Sequence, residues 1–327
     1  MRLSILLSSV GRRVELLQIF RSEAIRLGID LTIIAADLDP KCAPACYFAD
    51  VVEAVPPVGS PEYGDALLGI VARRDVSLVV PLIDPDVTAW SLIAARAASE
   101  FGCRVAVASP EAVAICRDKA QTAVALEAGG LCVPWTRRSE AFDPTSSGVP
   151  WPLVCKPASG SSSVGLRVLG SAEQARLEPP APGTIVQEQL FGAEVTVNVF
   201  YDRGGRLLYA IPHRRQSVRS GEVSRGITFA HDGLMAAAEQ IGALLPGVWG
   251  PLCFQAMLRA DNTFGIFEIN ARFGGGYPLA QQAGAMGVRY LLQDVLGSAL
   301  VPVSNWREGV CMLRYDQSVF TVETDAL

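Results

Sequence analysis

The segment FEINARFGGGYP, Phe267 to Pro278, sets a carboxylate, a carboxamide and a guanidinium at the alternate positions Glu268, Asn270 and Arg272. If Phe264 to Asn270 is a strand, alternate side chains share a face, so Glu268 and Asn270 point the same way and Arg272 continues the line. A hard Mg²⁺ ion takes oxygen ligands, which a carboxylate and an amide carbonyl supply, and a forked guanidinium holds a pair of phosphate or carboxylate oxygens. Such a face suits metal-bound polyphosphate. The plainer alternative is a polar strand end followed by a glycine turn.

A second group of residues can handle phosphate. The loop Ser159-Gly160-Ser161-Ser162-Ser163-Val164-Gly165 offers hydroxyls and flexible backbone N–H groups between two expected strands. It lacks the GK[ST] ending of a Walker loop, and on its own a hairpin loop explains it as well. Lys156 stands just before it at a strand end, where a buried ammonium needs an anionic partner. Further on, Gln187-Glu188-Gln189-Leu190 runs into Phe191-Gly192 and then Glu194. An extended segment there can present backbone groups to a purine edge, with Glu194 accepting from ribose hydroxyls. The stretch Pro212 to Gly226 collects His213, Arg214, Arg215, Arg219 and Arg225. It reads as a basic loop, solvated by default but able to clamp an acyl phosphate or a carboxylate if it lies near a phosphate site. No Ser-His-Asp or Cys-His order stands out among only two histidines, which argues against nucleophilic hydrolysis and for phosphoryl chemistry run by positioning and charge.

These residues need elements to hold them. Short apolar runs at Leu3 to Leu7, Leu31 to Ala36, Leu78 to Leu82 and Arg104 to Val107 alternate with helical patterns at Val14 to Leu27 and Trp90 to Glu100. That rhythm predicts a parallel sheet covered by helices. Ligands bind at the carboxyl ends of such strands, so Arg12, Arg13, Asp37 and the Asp84-Pro85-Asp86 turn are placed to border a substrate pocket. The first turn, Ser8-Ser9-Val10-Gly11-Arg12-Arg13, has one glycine where a dinucleotide fingerprint needs three. A helix is expected to open at Ser109-Pro110, carry Asp118-Lys119 and continue through Ala120 to Ala128. Beyond the proline-punctuated passage from Pro134 to Pro152, strands are expected at Leu153 to Lys156, Leu166 to Leu169, Thr184 to Gln189, Glu194 to Tyr201, Arg206 to Ile211, Phe254 to Arg259 and Phe264 to Asn270. Helices near Gly233 to Leu245 and Pro278 to Met286 complete the reading.

With 327 residues, half of them hydrophobic, the chain has material for two or three domains. A net charge of -5 without a dense basic block argues against nucleic acid or a membrane surface as partner. The eight cysteines are dispersed without a CxxC pair, which points away from zinc and towards a reduced, cytoplasmic protein. The apolar run near the start is too short and too little flanked by basic residues for a signal peptide, and nothing approaches the length of a transmembrane helix.

In order along the chain, Asp118-Lys119, Lys156-Pro157 with the serine-glycine loop, Gln187-Glu188 with Gly192-Ala193-Glu194, then Gln255, then Glu268-Ile269-Asn270-Ala271-Arg272 resemble the ATP-grasp superfamily, in particular its carbamoyl-phosphate-synthase-like ligases. The resemblance covers nearly the whole chain and implies an α/β fold. It implies a parallel pre-ATP-grasp domain at 1–110 followed by a two-lobed α+β ATP-grasp domain, with a helical linker and lid at 111–190 and a C-terminal core, carrying the metal and catalytic residues, at 191–327. By the resemblance, Lys119 and Lys156 contact nucleotide phosphates and Ser159, Gly160, Ser161, Ser162 and Ser163 cover them. Gln187, Glu188 and Leu190 form the adenine hinge, and Glu194 holds the ribose. Gln255, Glu268 and Asn270 hold Mg²⁺, two ions with Mn²⁺ able to substitute. Arg272 faces the transferring phosphoryl group. Val164 stands where many relatives carry a basic residue, so Arg214, Arg215 or Arg225 is expected to take over part of the neutralisation. Arg12, Arg13, Asp84, Tyr277 and Arg289 are the expected substrate contacts.

The resemblance implies ATP-dependent activation of a carboxylate as an acyl phosphate, then capture by an amine to give an amide, ADP and phosphate. Because relatives with the full synthase activity carry two ATP-grasp halves and this chain one, the set looks more like stand-alone ligases of amino-acid-like metabolites. A homodimer is suggested by the same relatives. The competing readings are a nucleotide-binding subunit or sensor without turnover and, from the N-terminal rhythm alone, a nicotinamide-dependent dehydrogenase.

Overall fold

The computed structural model describes residues 1–160 and 165–321. Ser161, Ser162, Ser163 and Val164 lie outside the described residues. The first sheet is parallel, in the order β3-β2-β1-β4-β5, and comprises β1 (Arg2–Ser8), β2 (Asp30–Asp37), β3 (Val51–Ala54), β4 (Leu78–Pro81) and β5 (Arg104–Val105). Leu3, Ile5, Leu6 and Leu7 are all buried, as a strand covered by helices on both faces requires. Helices α1 (Val14–Arg26), α2 (Tyr63–Arg74) and α3 (Asp84–Phe101) supply the cover. The strand order reverses between β1 and β4, so the loops after these two strands part and leave a crevice. Arg12, Arg13, Leu82 and Ile83 stand there.

A four-stranded antiparallel sheet of order β6-β9-β7-β8 follows the helices α4 (Pro110–Arg117) and α5 (Lys119–Ala128). Its strands are β6 (Thr136–Arg138), β7 (Leu153–Pro157), β8 (Arg167–Leu169) and β9 (Thr184–Glu188). The third sheet is antiparallel, in the order β14-β13-β10-β11-β12-β15. Its strands are β10 (Ala193–Tyr201), β11 (Leu207–Arg219), β12 (Glu222–Thr228), β13 (Gly250–Leu258), β14 (Phe264–Asn270) and β15 (Cys311–Leu313). Helix α7 (Asp232–Leu244) packs on it, the short α6 (Ala172–Leu177) stays with β8, and α8 (Tyr277–Ala283) and α9 (Gly287–Val295) pack back against α1.

Two sequence expectations change. The basic stretch is a hairpin: β11 continues through His213 to Arg219 and pairs with β12, so its residues alternate between two faces. Asp84-Pro85-Asp86 is the first turn of α3, where proline is tolerated because its missing N–H would have no helical partner. Among the described residues no helix is long and apolar enough to cross a membrane.

Candidate active site

The third sheet orders the site by register. His213 on β11 lies opposite Thr196 on β10, Thr196 opposite Gln255 on β13, and Gln255 opposite Glu268 on β14. These four side chains form a row across the floor of one cleft of about 820 Å³. The next row toward the first sheet runs Asn198, Cys253, Asn270. A β-bulge opposite Gln255 and Ala256 gives β14 an extra residue, so Phe267 and Glu268 both line the cleft although they are adjacent in sequence.

Lys119 and Lys156 form the wall facing this floor. Asp118 accepts from the backbone N–H groups of Ala120 and Gln121 at 2.9 and 3.1 Å and caps α5, which fixes Lys119 at its first residue. Lys119 is buried and donates through Nζ to the carbonyl of Gly160 at 2.7 Å. Lys156, on β7, carries its ammonium 5.3 Å from the centre of the Phe267 ring. Burial lowers its pKa to about 8; the Glu268 carboxylate works against that fall and the Lys119 charge adds to it. The two ammonium groups face the Glu268 carboxylate, with Glu194 also within reach of the Lys156 charge. Ser159 and Gly160 line the same wall.

At the Glu268 end of the floor, Asn270 donates through Nδ2 to Glu268 Oε1 at 3.2 Å, and Gln255 donates to Glu194 Oε1 at 3.4 Å. The donor set is one carboxylate and two amide oxygens, all hard ligands suited to Mg²⁺. Among the described residues no group of three or more histidines, cysteines or acids could hold a metal ion. Glu194 also pairs with Arg215.

Arg272 is held by the first sheet's domain. Its Nε and Nη2 donate to Asp84 Oδ1 and Oδ2, both at 2.9 Å, in a bidentate pair, and Nη2 also reaches Asn270 Oδ1 at 3.1 Å. Burial opposes the guanidinium charge and Asp84 more than restores it, so its pKa rises. At the far end Glu222 collects Arg314 at 2.9 Å, Arg12 at 3.5 Å and Arg13 at 3.8 Å. Three glycines close this end because none has room for a side chain. A Cβ on Gly274 would meet Cys253 Sγ at 2.9 Å, on Gly275 Glu222 Cδ at 2.8 Å, and on Gly276 His213 Nε2 at 2.6 Å.

The structure therefore gathers Arg12, Arg13, Asp84, Lys119, Lys156, Ser159, Gly160, Glu194, Gln255, Glu268, Asn270 and Arg272 around one cleft. Other residues singled out by the sequence stand elsewhere: Asp37 accepts from the Gly11 N–H at 2.8 Å, Asp86 is buried against the Tyr63 hydroxyl at 2.6 Å, and Arg219 pairs with Asp316. Gln187 is buried against Thr136 Oγ1 at 2.9 Å, and the Glu188 carboxylate takes the Trp135 N–H at 3.3 Å. The backbone N–H groups of Glu188 and Gln189 are bonded to Trp135 and Pro152, and Leu190 packs over Gly265. Arg214 lies over the Phe229 ring at 4.5 Å, and Arg225 is exposed on β12. Strand alternation turns Arg215, not Arg214, into the cleft. Tyr277 is buried below the floor, donating to Gln281 at 2.5 Å and accepting from the Val288 N–H at 3.1 Å. Arg289 is bound to the buried Glu23 at 2.7 Å and holds α9 to α1. Of the residues the reading did not assign, Thr196 and His213 were detectable by alternation with Glu194 and Arg215. Phe267 depends on a bulge that has no sequence signal.

Residues 116–276 match the family model of the ATP-grasp domain, and residues 5–106 match that of the PylC-like N-terminal domain. No curated protein matches the chain in sequence. Among solved structures, a biotin carboxylase from Campylobacter jejuni in complex with beta-gamma-ATP is similar with a TM-score of 0.73 at 16% identity, over 93% of this chain and 73% of that one. An L-amino acid ligase from Bacillus licheniformis is similar with a TM-score of 0.66 at 19% identity, over 92% of this chain and 78% of the other. N5-carboxyaminoimidazole synthetase from Staphylococcus aureus gives 0.70 at 14% identity, over 92% and 79%. At these identities the likeness is one of fold.

Proposed function

This chain belongs to the ATP-grasp superfamily, with an ATP-grasp domain over residues 116–276 behind a PylC-like N-terminal domain, and we propose that it is an ATP-dependent carboxylate–amine ligase acting on amino-acid-like metabolites. The observation that carries the proposal is the single cleft in which Lys119 and Lys156 face Glu268, Asn270 and Gln255, with Arg272 at the edge. Anionic polyphosphate fits between the lysines and the metal face.

In this reading Lys119 and Lys156 bind the phosphates, Ser159 and Gly160 lie over them, and the chain at Leu190 borders the adenine, because the amides of Glu188 and Gln189 are already bonded. Glu194, released from Arg215, takes the ribose hydroxyls. Gln255, Glu268 and Asn270 would hold Mg²⁺, as two ions for which Mn²⁺ substitutes; when bound, the metal neutralises the β- and γ-phosphate oxygens. Arg272, fixed by Asp84, presents its remaining N–H to the transferring phosphoryl group. A substrate carboxylate oxygen forms a bond to the γ-phosphorus as the bond to ADP breaks. An amine nitrogen then attacks the acyl carbon, phosphate leaves, and the amine proton passes to solvent.

The test is ADP release by the full chain, screened with L-amino acids in pairs. Release that needs both a carboxylate and an amine is expected, together with at least a hundredfold loss in Glu268→Ala. AMP and pyrophosphate as products would exclude the mechanism. Tight Mg²⁺–ATP binding without any substrate-stimulated ADP would favour a sensor or nucleotide-binding subunit.

A further inference from the structure

His213 is a buried polar residue that the nucleotide chemistry does not use. It is 1% exposed, and its Nδ1 lies 3.2 Å from Asn198 Nδ2. An amide nitrogen can only donate, so Nδ1 accepts and the proton of the neutral ring sits on Nε2. Burial, with the Arg215 charge beside it, lowers the ring's pKa to about 3, so this N–H persists at every physiological pH. Nε2 has no hydrogen-bond partner within the protein, and the ring lines the cleft. A buried donor left unpaired forfeits its hydration without compensation, a loss that a ligand acceptor would recover.

Arg13 is the second under-used group. Its guanidinium lines the same cleft with an 18% exposed side chain, and Glu222 at 3.8 Å is too distant for a hydrogen bond. Arg314, in contrast, binds Glu222 at 2.9 Å, and Arg272 is held in a bidentate pair by Asp84. Arg13 and His213 flank the Gly274–Gly276 turn, through Glu222 against Gly275 and through Nε2 against Gly276. Arg13 also comes from the loop after β1, at the strand-order reversal where an open parallel sheet takes its ligand. His213 is three strands from Glu268, roughly 14 Å at the usual interstrand spacing, which is too far to touch a metal-bound phosphate.

We propose that Arg13 and His213 form a recognition subsite for a second, non-reacting carboxylate of the amino-acid substrate, with Arg13 as its charge partner and the His213 Nε2–H as its neutral donor. The proposal rests on the ligase reading for the identity of the site. Arg13 and one neutral donor, with the Arg215 charge beside the ring, match a carboxylate; a phosphate dianion would meet Glu222 on the same wall.

The experiment titrates the full chain, saturated with Mg²⁺ and a non-hydrolysable ATP analogue, with a panel of L-amino acids, their carboxamides and inorganic phosphate. At least one amino acid is expected to bind tenfold or more tightly than its carboxamide. In Arg13→Met and His213→Leu that ratio should fall towards one, while analogue affinity stays within twofold. His213→Gln, which keeps an N–H donor, should restore part of the ratio and serves as the test if His213→Leu does not fold. Equal binding of acid and amide in the wild type, a ratio unchanged in the variants, no binding by any amino acid, or displacement of the acid by millimolar phosphate would overturn the subsite. Failure of the ligase reading is separate: it shows as absent ADP release even where acid is distinguished from amide.

Discussion

Lys156 links the electrostatics of the cleft to a measurable pH dependence. Burial brings its pKa in the free protein to about 8, below the usual 10.5, so the charge that attracts phosphate begins to disappear just above neutrality. Between pH 7 and 9.5 the affinity for Mg²⁺–ATP should fall about thirtyfold, one unit in log K per pH unit above pH 8 for the one proton that binding must take up. Calorimetric titration of the wild type and of Lys156→Met checks this; the variant should bind weakly and with a flat profile. The sign for stability is opposite. Between about 8 and 10.5 the unfolded chain holds a proton on this lysine that the folded chain has released, so the ligand-free protein gains stability as pH rises through that window. At this scale the sequence showed the polar triad Glu268, Asn270 and Arg272 because residue type and alternate spacing carry the information. It did not show which basic residue faces inward, since Arg214 and Arg215 are told apart only once the stretch is known to be a strand. Nor could it show that Asp84, far away in sequence, holds Arg272.

Helix α7 shows how packing overrides propensity. Gly242 lies near its end, and in isolation Gly→Ala would favour the helix by about 1 kcal/mol. Here a Cβ would stand 2.6 Å from a ring carbon of Tyr201 and 2.8 Å from the Gly205 carbonyl oxygen, which is backbone and cannot rotate away. Tyr201 is itself fixed by its hydroxyl to the Ala238 carbonyl at 2.6 Å. Gly242→Ala should therefore destabilise the protein by about 1–3 kcal/mol in urea unfolding, the usual cost of overpacking. An increase in stability would show that α7 slides on the sheet. Apolar periodicity predicted this helix, β1, β2, β4 and β14 well, because each buries a continuous run or face. The same reading passed over α2 and β3. In β3 alternate residues are half-exposed, and its four residues offer little pattern. The hairpin tip was taken for a loop because its charged residues hide the alternation beneath them.

The largest question is whether the sheets stand or fall together. The main apolar cluster joins Leu6 and Val79 of the first sheet to Val195, Phe254 and Ile269 of the third. A second cluster joins Leu3 and Ile5 to Phe200, Tyr277 and Leu291. Buried or half-buried ion pairs cross the same boundary, Asp84 with Arg272, Glu23 with Arg289 and Arg104 with Asp294. Breaking one such pair by removing a partner costs about 3–5 kcal/mol when it is buried, so the two parts are expected to unfold together. The four-stranded sheet differs, with a cluster of its own built from Leu153, Cys155, Leu169, Ala175 and Val186. Trp135 and Trp151 pack there against Phe142. Single-tryptophan variants separate these cases: Trp90 in the first domain and Trp249 beside Phe200 should report one urea midpoint, and Trp135 or Trp151 a lower one. Mg²⁺ with a non-hydrolysable ATP analogue should raise the lower midpoint most, because under the proposed function Lys156 and Gly160, which line the cleft, hold the nucleotide, and binding to the folded form draws the equilibrium towards it. Separate midpoints for Trp90 and Trp249 would show that the interface carries less energy than its continuous core implies. A ligand effect confined to Trp90 would move the nucleotide out of the cleft.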